Sequence, residues 1–159
     1  MTRSLLFLAA SLAIAAPTVS DARRVAPETS ATPDFLKQNE AAKGVVTTAS
    51  GLQYFVVKSG ATTGPHPSPQ DTVTVDYELK LLNGKVIDSS YATGEPLTGR
   101  AGSFVPGFSE ALSLMRPGDE WIVWVPPGLG YGSNDTGPIP GNSVLRFRLA
   151  LHSVTPAAD

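Results

Sequence analysis

Few side chains in this sequence are equipped for covalent or proton-transfer chemistry. There is no cysteine, which removes thiol nucleophiles, thiolate metal sites and disulfides, and the two histidines, His66 and His152, stand alone without ligand spacing. His66 lies between Pro65 and Pro67 and reads as a loop residue with no chemistry. No nucleophile with a base partner and no ligand cluster is found, so a hydrolase or metalloenzyme is a poor fit. Two polar residues stand out from this background. Asp88 precedes Ser89-Ser90, a context in which a carboxylate caps a strand end through local backbone bonds. Tyr131 lies within residues 126–142, a stretch too long and too rich in Gly and Pro for regular structure. Such loops are functional or disordered, and Tyr131 and Ile139, a large phenol and a branched apolar side chain, argue for something to pack on.

One domain has to position these residues. With 159 residues, 42% hydrophobic and 16% charged, the chain can build one core of ordinary size. A formal charge of −2 and no Lys/Arg run leave no footprint for nucleic acid or an anionic membrane surface. Arg3 followed by the apolar run from Leu5 to Ala16 reads as a secretion signal over residues 1–22, too short for a stable membrane anchor. Cleavage after Ala15 or after Ala22 fits equally, and export to the periplasm or the cell exterior follows from either. Residues 23–46 read as a polar, disordered leader and one short helix, opened by Thr32-Pro33-Asp34 and closed by Gly44. That helix either packs on the domain or meets a partner.

Residues 47–155 read as strands separated by Gly/Pro loops. Leu52, Tyr54 and Val56 alternate, as do Val73, Val75, Tyr77, Leu79 and Leu81, and then Leu145, Phe147, Leu149 and Leu151. Asn83-Gly84 predicts a type I′ hairpin returning through Lys85-Val86-Ile87-Asp88. Phe108, Ala111, Leu112 and Met115 have helical spacing, ended by Pro117-Gly118. In the next strand Trp121, Val123 and Val125 share one face, which leaves Trp124 as a candidate exposed aromatic if Trp121 is the inner one. The class is α+β, with a mostly antiparallel sheet and one short helix packed on it.

The order Val75-Asp76-Tyr77-Glu78, Asn83 to Ser90, Val105 to Leu112, Leu129 to Gly132, Gly137-Pro138-Ile139-Pro140 and Leu145-Arg146-Phe147 resembles the FKBP-type peptidyl-prolyl cis-trans isomerases over residues 50 to 154. Phe35-Leu36 and Ser50 to Tyr54 are similar to the secreted, Mip-like bacterial branch. The resemblance implies a curled five- to six-stranded antiparallel sheet packed on one short helix, preceded by a short helical arm. It also implies a pocket lined by Tyr77, Asp88, Leu97, Phe104, Val105, Phe108, Tyr131, Ile139 and Phe147, with Ile87 beside Asp88 and Phe108 as its floor. Carried over in this way, Asp88, Tyr131 and Tyr77 would take the catalytic polar roles, and Ile87, Leu97, Phe104, Val105, Phe108, Ile139 and Phe147 would bind substrate.

The implied activity is turning X-Pro bonds in unfolded or flexible exported polypeptides, with no cofactor and no metal. The family floor is usually Trp where this chain has Phe108, the residue before the acid is usually Phe where it has Ile87, and a strand aromatic is replaced by Gly99. Losing two aromatic surfaces would weaken selective binding of the twisted amide by about 1 to 3 kcal/mol, so reduced activity is expected. Whether macrolide inhibitors of the family still fit is left open. The alternative with the same fold is a non-catalytic peptide-binding chaperone, or an interaction module using the arm.

Overall fold

The computed structural model describes residues 32–158; the expected secretion signal and most of the leader lie outside them. Strand β3, Thr72–Leu81, is the ten-residue spine of a seven-stranded sheet. Its period-two pattern buries Val73, Val75, Leu79 and Leu81 on one face, with Tyr77 half-buried in the same row. The other strands are β1 (Val45–Thr47), β2 (Gln53–Lys58), β4 (Val86–Ser89), β5 (Leu97–Arg100), β6 (Glu120–Val125) and β7 (Leu145–Thr155). They are ordered β1-β2-β6-β7-β3-β4, all antiparallel, with β5 also pairing with β3.

One edge of β3 is thus shared. β5 pairs with Thr72 to Val75 and β4 with Glu78 to Lys80, so Asp76 and Tyr77 face a gap between the two partners. The one-turn helix α2, Ser90–Thr93, fills the excursion between β4 and β5.

The strand count is seven rather than five or six, because β1 and β5 are three and four residues long and too short to show a period. The hairpin after β3 also differs from the type I′ expectation. Gly84 has φ 87° while Asn83 keeps a negative φ, and the Gly84 N–H donates to the Leu81 carbonyl at 3.0 Å. Leu81 and Lys85 close a three-residue connection in which only the last residue needs the left-handed region.

Helix α3, Pro106–Leu114, lies on the concave face with Pro106 at its first turn, where a missing N–H costs nothing. Gly107 lets it sit close, since a Cβ there would come within 2.5 Å of Val125. Phe108, Ala111 and Leu112 on its inner stripe, with Met115 just beyond its end, interleave with Leu52, Val123, Leu145 and Leu149 in one core. Trp121 is buried and stacked on Tyr54 at 4.3 Å, and Trp124 on the other face is half-buried rather than open.

The arm helix α1, Thr32–Glu40, packs on the domain. Gln53, 3% exposed, donates to the Leu36 carbonyl and accepts from the Asn39 amide, both at 2.8 Å, and the Thr32 hydroxyl donates to the Asn142 carbonyl at 3.0 Å. Among the described residues no helix is long and apolar enough to cross a membrane.

Candidate active site

The concave face of the sheet and α3 leave a cavity of about 310 Å³ lined by Tyr77, Leu79, Asp88, Leu97, Ser103, Phe104, Val105, Phe108, Tyr131 and Phe147. Phe108 is its floor, 3% exposed, because it sits on the first turn of α3 and points at the sheet. Three rings surround it: Phe104 tilted at 4.8 Å, Phe147 edge-on at 5.1 Å and Tyr77 edge-on at 6.2 Å. These are the offset and edge-to-face separations that aromatic quadrupoles favour, so the walls are held by their own contacts.

The polar groups enter at the gap in the sheet. The Tyr77 hydroxyl donates a short hydrogen bond to Asp88 Oδ2, and Asp88 Oδ1 accepts the Ser89 N–H at 2.8 Å. Asp88 therefore both caps its strand end and holds Tyr77. Burial pushes the Tyr77 phenol up to about 12, with help from its bond to the Asp88 carboxylate and the charges of Asp88 and Tyr131. A phenol so held stays a neutral donor throughout the physiological range.

Because neither β4 nor β5 reaches Tyr77, its backbone N–H is taken by Ser90 Oγ at 2.9 Å, and that hydroxyl donates to Asp76 Oδ1 at 2.7 Å. Burial of Asp76 raises its pKa, but the Ser90 hydroxyl and His152 outweigh that and hold the carboxyl below its usual range.

Of the expected site residues, Tyr77, Asp88, Leu97, Phe104, Val105, Phe108, Tyr131 and Phe147 converge on this cavity. Ile87 and Ile139 are not among its lining residues. Ile87 packs partly buried against the core. Ile139, 4% exposed, is turned inward by a tight pairing with Thr136 around Gly137-Pro138, with bonds of 2.8 and 3.0 Å. Tyr131 is 40% exposed, and among the described residues its hydroxyl has no hydrogen-bond partner, which leaves a donor at the cavity wall.

Sequence reasoning missed Ser90, Asp76 and Ser103; only Asp88-Ser89-Ser90 offered a signal, read as local capping. His66 carries structure rather than chemistry: its ring bonds the Met115 carbonyl and accepts from Arg116 Nε, each at 3.0 Å, pinning its loop. Among the described residues no group of three or more metal-ligating side chains is gathered. A larger groove of about 430 Å³ beside α1, lined by Thr32, Pro33, Leu36, Pro127, Gly128 and Asn142, contains no titratable side chain.

Residues 64–152 match the family model described as FKBP-type peptidyl-prolyl cis-trans isomerase, and residues 15–56 match the model for the domain amino-terminal to it. The chain is 46% identical to the peptidyl-prolyl cis-trans isomerase Mip of Coxiella burnetii over 121 residues, which is 76% of this chain and 52% of that protein. The crystal structure of FkpA from Escherichia coli superimposes with a TM-score of 0.77 at 37% identity, covering 81% of this chain and 60% of that one. A peptidyl-prolyl cis-trans isomerase from Pseudomonas syringae pv. tomato gives a TM-score of 0.73 at 30% identity, covering 82% of this chain and 98% of that one. The chain spans about half the length of the curated relatives it matches. A sheet wrapped on one helix around an aromatic cavity, together with these matches, makes the chain a member of the FKBP-type peptidyl-prolyl cis-trans isomerase family.

Proposed function

We propose that this chain accelerates cis-trans isomerisation of X-Pro bonds in flexible polypeptides. The observation that carries the reading is the cavity itself, an apolar box of Tyr77, Phe104, Phe108 and Phe147 with an exposed phenolic donor, Tyr131, at its wall. An X-Pro amide turns slowly because its resonance must be broken, at a barrier near ~20 kcal/mol. No bond to the enzyme has to form. The planar amide is more dipolar than the twisted one, so moving it from water into an apolar cavity disfavours the ground state relative to the transition state. The proline ring is gripped by the aromatic walls while the Tyr131 hydroxyl donates to a substrate carbonyl and fixes one side of the rotating bond. Asp88 acts through Tyr77, holding its ring against Phe108 as part of the wall.

Exported, unfolded polypeptides are the proposed clients, with the apolar run after Arg3 supporting export. The proposed working unit is residues 47–155, which hold β2 to β7, with residues 1–22 as signal and 23–46 as leader and arm, although β1 begins two residues earlier at Val45. Macrolides that fill apolar cavities are proposed as ligands on the same grounds.

The test is refolding of a protein whose slow phase is limited by proline isomerisation, with substoichiometric amounts of this chain. Isomerase action shortens that phase, and Phe108→Ala in a folded sample removes most of the effect. Suppressed aggregation with an unchanged slow phase would select the non-catalytic binder instead.

A further inference from the structure

Gly99 lies on the cavity side of β5. It is two residues after Leu97, which lines the cavity, and it pairs with Val73, which is fully buried on the same face. It offers no side chain there. A Cβ built on Gly99 would meet Phe104 Cζ at 3.2 Å and Cε1 at 3.7 Å, so the ring of Phe104 already rests against this strand. The same ring packs on Phe108 at 4.8 Å and lines the cavity. Phe104 therefore fills the space β5 leaves empty, and a side chain at 99 needs that ring to give by a few tenths of an ångström or more.

We propose that Gly99 is a specificity-determining residue: by giving its side-chain space to Phe104 it keeps the cavity wide enough for a bulky apolar residue beside the proline. This rests on the peptide-turning reading above. A pocket distinguishes ligands by the volume its walls leave, and displacing one ring edge by less than an ångström removes the room for an aromatic neighbour before it removes the room for proline and a small one.

The test compares the full chain with Gly99→Val, Gly99→Ala, Phe104→Ala and the Gly99→Val/Phe104→Ala double variant. Two peptides are used, one with Phe and one with Ala before the proline, and both turnover and direct binding by titration are read. The ratio of kcat/KM for the Phe peptide to that for the Ala peptide falls about tenfold in Gly99→Val. It falls less in Gly99→Ala, which remains informative if the valine variant does not fold. In the double variant it returns to the ratio of Phe104→Ala alone. An unchanged ratio in both Gly99 variants, or a fall that persists once Phe104 is truncated, overturns the proposal. If the wild-type chain accelerates neither peptide the isomerase reading fails, and the ratio of the two dissociation constants then carries the same test of Gly99. Binding of neither peptide overturns both.

Discussion

Tyr77 and Asp88 show how one residue serves structure and site together. The carboxylate that caps β4 also accepts from the phenol, and burial and this bond together raise the Tyr77 pKa to about 12. Asp88→Asn removes the charge and leaves an amide oxygen to accept. Titration of the Tyr77 ring by NMR is expected to move down from about 12 toward its ordinary value of 10.0; an unmoved titration would mean the pair does not interact in solution. Tyr131 is the complementary case, exposed and without a hydrogen-bond partner among the described residues. Tyr131→Phe is expected to lower kcat/KM about tenfold, the worth of one hydrogen bond made in the transition state, with no change in melting temperature. The sequence announced both residues through the motifs around them, and the fold brings them to one cavity. It did not announce Ser90 and Asp76, since their partnership exists only because two strands leave a gap beside Tyr77. Ile139 shows a similar limit: a loop motif fixes its order in the chain, while the fold pairs it with Thr136 and buries it outside the residues that line the cavity.

At the scale of elements, hydrophobic period located the long strands and α3, because each has one face against a common core over several repeats. Strands as short as β1 and β5 contain too few alternations to register, and the Asn83-Gly84 turn took a different form because only Gly84 adopts positive φ. The arm left two readings open, and Gln53 supports packing on the domain, since a buried amide with both ends bonded to α1 ties arm to sheet. Gln53→Ala leaves the Leu36 carbonyl and the Asn39 amide without that partner. It is expected to lower unfolding free energy by about 1–3 kcal/mol in urea denaturation, and faster amide exchange in residues 33–40 should accompany it. A loss spread over β3 and β7 with α1 unchanged would contradict this anchoring.

For the whole molecule, Asp76 and Tyr77 are two of the groups through which stability responds to pH. Asp76 has a folded pKa below its ordinary 3.8, so its contribution is present above that value and is lost as pH falls through the lower folded one. Tyr77 has a raised folded pKa, so its contribution is complete below 10.0 and is lost as pH rises toward about 12. Urea midpoints measured against pH should fall at both ends, and Tyr77→Phe should flatten the alkaline fall alone. The cavity, an apolar box with the Tyr131 phenol at its wall, is proposed to turn a prolyl bond. The direct measurement is the cis-to-trans rate of a short peptide with an apolar residue before proline, with the folded full chain and with its Tyr131→Phe variant. Acceleration proportional to protein concentration and reduced in the variant is expected, at an overall level limited by Phe108 and Gly99. A rate equal to the uncatalysed one, with the peptide bound, would contradict it and leave a cavity that holds proline without turning it.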